Sequence, residues 1–290
     1  MMSKIKTYYS LTKPGVLYGN ALTAAAGFLL ASRGHVDGWL FLALIIGTTL
    51  IIASACVLNN YLDQDIDKKM ARTKTRALVQ GELPGKNAVI FSIILVIVGF
   101  LILSFFTNPL VVLIGAIGFI DYVVFYGMLS KRLSIHGTLV GSISGAAPIL
   151  AGYCAVTGSL DLGAIIVFAI LFLWQMPEFY SISVYRRKEY KAAGIPVMSV
   201  IKGVKNTKIQ IVIYTLAFVT ASLLLSVFGF ASLTYRFIMA IAGVYWIWIA
   251  AHGLKLGDND SDAWARKMFR FSLIILLLFC GLISVDAWLP

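Results

Sequence analysis

Between Asn59 and Arg76 the chain reads NNYLDQDIDKKMARTKTR, the only densely charged stretch before residue 180. Asn59, Asp63 and Asp67 recur every four residues. On a helix turning about 100° per residue, their side chains fall within an arc of roughly 80°. Asp65 points about 160° away from the centre of that arc. Arg72 and Arg76 follow, also four apart, with Lys68, Lys69 and Lys74 among them. Oxygen ligands therefore come first and cations next. That order suits a hard divalent cation held against a polyphosphate. Magnesium typically takes one or two carboxylates and completes its shell with water and substrate phosphate. Guanidinium and ammonium groups neutralise the remaining charge.

A second charged stretch, WQMPEFYSISVYRRKEYKAAGIP, runs from Trp174 to Pro196. Glu178, Tyr185 and Glu189 are offset there by seven and four residues, which places them within about 40° of one another on a continuous helix. Arg186, Arg187, Lys188 and Lys191 surround that face, and Pro177 is positioned to kink it. An apolar helix ending in acids and a basic loop thus occurs twice. One reading is an internal repeat with two acidic patches facing a shared cavity; the plainer one is an ordinary basic loop with two acids to offset it. Asp121, inside an apolar run, is either a functional group or one end of an interhelical hydrogen bond to Asn20 or a serine. The run from Gly141 to Pro148 is rich in small residues, which allow close helix contact or leave room for a bulky ligand.

These groups are carried by a very apolar chain. It has 290 residues, 60% of them hydrophobic and 13% charged, with mean hydropathy +0.89. Nine runs are long enough to span a bilayer as helices: 15–32, 39–60, 88–106, 109–128, 136–156, 163–184, 209–228, 233–252 and 269–287. They do not alternate apolar and polar residues, which argues against a β-barrel. All 24 Lys and Arg residues except Arg33 and Arg236 fall on one side of this arrangement. That asymmetry predicts a cytoplasmic N-terminus and an external C-terminus. It also accounts for the net charge of +11 without nucleic acid, for which no motif is present. The basic start before the first apolar run imitates a signal peptide, but a retained first helix is expected. Cys56, Cys154 and Cys280 show no CxxC spacing, so neither a disulfide framework nor a zinc site is expected. The oxygen-rich segment 257–262 lacks the glycine and final glutamate of an EF-hand and reads as a solvated turn. No second domain is visible; residues 1–290 read as one transmembrane domain. The 27-residue connection 61–87 is long, and part of it is expected to order over the site as a lid.

The spacing Asn59-xxx-Asp63-xxx-Asp67 at the end of the second span resembles the first motif of the UbiA-type intramembrane prenyltransferases. Asp65-Ile66-Asp67, Met70, Arg72-Thr73 and Arg76 extend the likeness toward the haem branch of that superfamily, the protoheme IX farnesyltransferases or haem O synthases. So do Leu129 to Arg132, Gly145 to Pro148, Trp174 to Pro177 and Glu189 to Pro196. The resemblance implies an all-α bundle of about nine helices around a central cavity. It implies that farnesyl diphosphate alkylates a vinyl group of haem b and that water adds, giving haem O for terminal oxidases. Residue by residue, it implies Mg2+ on Asn59, Asp63 and Asp67. The diphosphate would lie on Arg72, Lys74, Arg76, Lys131 and Arg132, with Asp63, Asp67, Tyr185 and Glu189 catalytic and Asp121 and Glu178 in the substrate cavity. It also implies a bacterial inner membrane, a site facing the cytoplasm, and contact with haem-oxidase assembly or a haem A synthase. Ionisation of an allylic diphosphate fits these residues independently. Metal and cations stabilise the leaving group, aromatic faces stabilise the cation, and an apolar bundle limits its capture by water.

The chain departs from the family at Glu178, where histidine is frequent, and at Ala77, where Arg-Pro is usual. A carboxylate is a poorer haem-iron ligand than imidazole. Two rival readings fit the same residues. One is a related enzyme that prenylates an aromatic acid or quinone precursor. The other is an ion-coupled transporter, against which both acidic patches count by lying at the boundary rather than the midplane.

Overall fold

A computed structural model describes residues 4–290, without the side chains of residues 258 and 259. Among the described residues there are helices and turns but no strand. Nine helices are long and apolar enough to cross a membrane. They are α1 (Pro14–Ser32), α2 (Gly38–Leu62), α3 (Gly85–Phe106), α4 (Pro109–Leu133), α5 (Gly137–Thr157), α6 (Leu162–Tyr185), α7 (Gly203–Val227), α8 (Leu233–Gly253) and α9 (Asp258–Val285). A short helix, Lys4–Leu11, precedes them.

The helix ends follow from local chemistry. Asp37, Asn108, Asp161 and Ser232 accept a hydrogen bond from the backbone N–H three residues on, capping α2, α4, α6 and α8. Such caps contribute about 1 kcal/mol each. Pro14 and Pro109 stand in first turns, where a missing N–H costs nothing.

Each long helix packs against the next, and α9 returns to α1 to close the ring. Contacts of α1 with α5 and of α6 with α9 cross it. At the α1–α5 crossing the backbones nearly touch, and a Cβ on Gly152 would collide with the Ala24 carbonyl. Small residues permit that approach. A continuous apolar core links all nine long helices, α3 through Leu103. The outward faces of α3 and α8 are apolar and exposed, as lipid contact requires, and Trp39 and Trp288 lie at one end of the bundle where interfacial aromatics belong.

The observed helices match the apolar runs within a few residues, except that α7 starts earlier and α9 starts eleven residues earlier. The backbone of 258–262 is therefore helical rather than a turn. The three cysteines are free and buried.

Two irregularities position the site. After α2 the chain breaks at Asp63 (φ −93°, ψ 8°), then forms a one-turn helix, Gln64–Asp67, and a series of tight turns. Residues 121–130 of α4 form a π-helix. Nine residues of α-helix would set Tyr122 and Lys131 on opposite sides. At roughly 80° per residue, the wider π-turn brings them onto one face.

Candidate active site

The cavity opens at the end of the bundle where α2, α4 and α6 terminate. It encloses about 810 Å³. Asn59, Asp63 and Asp67 all line its mouth and are all buried, Asp63 at 1% and Asp67 at 3% exposure. Each holds a cation. Lys13 donates to the Asn59 amide oxygen, Lys131 to Asp63 Oδ2, and Arg76 to Asp67 Oδ2 at 2.5 Å. Asp63 Oδ1 is buried without a hydrogen bond, although Arg132 Nη2 lies 3.6 Å away. Asp65 turns outward and pairs with Arg132 through two 2.8 Å contacts. The Arg132 guanidinium holds the Asp65 carboxyl down at about 2.

The segment after Asp67 folds over the mouth. Thr73 Oγ1 donates to the Asp67 carbonyl at 3.1 Å. Ile66 and Met70 pack against Ala193 and Ile195, which follow α6. The two connections expected to form a repeat thus meet. Arg72 and Arg76 reach the cavity, and Arg72 makes no ion pair or side-chain hydrogen bond among the described residues. Lys74 is exposed and Arg132 is committed to Asp65 and the Leu62 carbonyl; neither lines the cavity.

The second acidic patch differs from expectation. Helix α6 ends at Tyr185, and a new helix, Arg187–Ala193, starts after a break at Arg186 (φ −108°, ψ 15°). Glu189 therefore does not share a face with Glu178 and Tyr185, which stay about 20° apart on α6. Tyr185 lies against Phe269 and under the Arg266 guanidinium, 4.7 Å from its ring centre. Glu189 pairs with Arg186 at 3.1 Å. Tyr190 lines the cavity; Tyr185 and Glu189 do not.

Asp121 is likewise off the cavity. Its carboxylate accepts the Ser144 N–H at 3.0 Å and so ties α4 to α5. Asn20 bonds within its own helix, to the Val16 carbonyl. Glu178 does line the cavity. The small residues of α5 both allow close packing and leave ligand space: Gly145 abuts Gln175, Gly141 abuts Tyr126, and both border the cavity.

Sequence reasoning missed Lys13. It caps α1 from the left-handed region (φ 53°, ψ 70°), a conformation that costs a non-glycine residue of order 1–3 kcal/mol. The strain aims its ammonium at Asn59, and burial pulls it down to about 8. Its only signal was a lysine before the proline that opens the first span.

Deeper in, the walls are apolar, with Ile51, Ile114 and Phe119 on one side and Leu171, Leu273 and Leu276 on the other. Tyr122 and Tyr126 stand between mouth and depth, their rings 5.6 Å apart. Among the described residues no three His, Cys, Asp or Glu side chains converge on a point. The mouth offers two carboxylates and an amide, one carboxylate oxygen buried and unbonded. That hard-oxygen set fits magnesium, which leaves most of its shell to water and phosphate.

A nine-helix ring with its acids at one end of a lipophilic cavity agrees with what known proteins show. Residues 20–274 match the UbiA prenyltransferase family, and the chain belongs to that family. It is an integral membrane protein. It is 48% identical over 286 residues to the protoheme IX farnesyltransferase of Yersinia enterocolitica, covering 99% of this chain and 96% of the relative. It is 46% identical over 285 residues to that of Klebsiella pneumoniae, covering 98% and 96%. A digeranylgeranylglyceryl phosphate synthase structure superposes with a TM-score of 0.82 at 22% identity, over 99% of both chains. A UbiA homologue from Archaeoglobus fulgidus, bound to DMAPP and Mg2+, superposes with a TM-score of 0.73 at 14% identity, over 96% of this chain and 99% of that one.

Proposed function

We propose that this chain transfers a farnesyl group from farnesyl diphosphate to a vinyl group of haem b, with addition of water, to give haem O. One observation carries the reading. A single cavity joins a mouth of buried carboxylates and cations to an apolar hollow of about 810 Å³. Such a space accepts a charged head, a hydrocarbon tail and a flat apolar acceptor. Relatives at 46–48% identity over nearly the full length support haem rather than an aromatic acid as the acceptor.

Asn59, Asp63 and Asp67 would hold magnesium, which when bound offsets the charge developing on the departing diphosphate. Lys13, Arg76 and Lys131 would exchange their present partners for phosphate oxygens, and the unpaired Arg72 would join them. Tyr122 and Tyr126 would present ring faces to the allylic cation. The apolar walls would keep bulk water from it. Arg132 would fix the end of α2 through Leu62 and Asp65. Tyr185 and Glu189 would hold the bend after α6 rather than touch substrate, and Lys74 would contribute only long-range charge. The lysine and arginine distribution supports an inner-membrane protein with its mouth toward the cytoplasm. The product would pass to a haem A synthase or oxidase assembly.

The test is an assay of purified protein with haem b, farnesyl diphosphate and Mg2+, read by pigment mass. The expected gain is farnesyl plus water, abolished by EDTA. An unchanged pigment beside an active control enzyme overturns the acceptor, and prenylation of an aromatic acid in the same assay would replace it.

A further inference from the structure

Glu178 stands on α6 seven residues before its end, so about 10 Å along the axis from the mouth end of that helix. It is 8% exposed and lines the cavity. Among the described residues it has no hydrogen bond and no ion pair. Four donors on α5 and α6 are already committed. The Gln175 amide donates to the Ser142 and Leu171 carbonyls, at 3.1 and 3.0 Å. Trp174 Nε1 donates to the Ser272 carbonyl, Ser181 to Pro177 and Ser144 to Gly141. The mouth carboxylates differ, since each is neutralised by a cation. A buried carboxylate left without a donor inside a lipophilic cavity is by default a functional group. Its chemistry is to accept a proton or to bind a proton donor such as water.

We propose that Glu178 is the base that takes the proton of the water added during the reaction. The inference rests on the haem-acceptor reading above. The C–O bond of farnesyl diphosphate breaks, and its electron pair leaves with the diphosphate. The vinyl π pair forms the new C–C bond through the terminal vinyl carbon. The positive charge then lies on the vinyl carbon attached to the porphyrin. A water oxygen donates a lone pair to that carbon, and the released proton passes to the Glu178 carboxylate. No oxidant or reductant is needed. Without that base, the cation loses a carbon-bound proton to the released diphosphate, the C–H pair forms a C=C bond, and a prenylated haem without the hydroxyl results.

Three proteins test this: wild type, Glu178→Gln and Glu178→His. Each is assayed with haem b, farnesyl diphosphate and Mg2+, following diphosphate release and the masses of hydrated and unhydrated products. In Glu178→Gln, hydrated product is expected to fall about 100-fold, the scale of a lost general base. Diphosphate release should continue and unhydrated prenyl-haem should appear. Glu178→His, which restores a base, should recover the hydrated product. Hydrated product from Glu178→Gln within twofold of wild type overturns the inference. So does equal loss of diphosphate release in both variants, which would mark a packing role. If wild type yields no prenylated haem, the acceptor reading itself fails and takes this inference with it.

Discussion

Asp63, Asp65 and Asp67 lie within five residues yet occupy different surroundings. Asp63 and Asp67 are buried at the cavity mouth, whereas Asp65 is an exposed partner of Arg132. This division was legible in the four-residue spacing, because helical periodicity extends from α2 through the break into Gln64–Asp67. Asp63→Ala or Asp67→Ala should therefore lower turnover at least about 100-fold, the scale of a lost transition-state contact. The protein should still elute as a folded species in detergent. Asp65→Ala should stay within about tenfold, since it removes a largely solvated pair. Rates measured side by side decide it, and equal loss at Asp65 would mean that the short helix depends on the Arg132 clasp. Lys13 was not legible in the same way. A left-handed backbone and a side chain reaching from α1 to α2 are tertiary facts that a lone lysine before proline does not report.

Element boundaries hid two features. Continuing α6 through Arg186 put Glu178, Tyr185 and Glu189 on one face, but the chain turns at Arg186 and Glu189 leaves that face. Nothing in the apolar run 121–130 announced a π-helix, because its lipid-facing positions are hydrophobic at either pitch. That pitch matters to the site. Met128 is exposed and lies after Tyr126, so its deletion leaves Tyr122 and Tyr126 in place while rotating Lys131 away from Asp63. Activity should fall about 10- to 100-fold, as for Lys131→Ala. Wild-type activity in the deletion would show that the π-register is dispensable. Packing makes a separate prediction on α5. The α1–α5 crossing has no room for a methyl group at Gly152. Gly152→Ala should destabilise the protein by about 1–3 kcal/mol, as overpacking does, lowering the thermal midpoint in detergent. An unchanged midpoint would mean that the two helices separate freely.

At the scale of the molecule, composition alone carried most of the architecture. Nine apolar runs became nine long helices because a lipid environment leaves a buried backbone few other ways to satisfy its hydrogen bonds. What composition did not carry was the closure of those helices around a cavity, which depends on close approaches such as Gly152 against Ala24. Charge then orients the ring. Arg33 and Arg236 stand at one end, while the other Lys and Arg residues flank the mouth or the loops beside it. The positive-inside rule predicts that the mouth faces the cytoplasm. Thiol labelling can test this directly, because Cys56, Cys154 and Cys280 are buried and give little background. His35 and Lys205 are exposed at opposite ends. A membrane-impermeant maleimide added to intact cells should label His35→Cys and spare Lys205→Cys, and inverted vesicles should reverse the pattern. The opposite result would place the carboxylates and their cations outside. A cytoplasmic supply of prenyl diphosphate would then be ruled out, and the excess of lysine and arginine would have to be explained by diphosphate binding instead of membrane insertion.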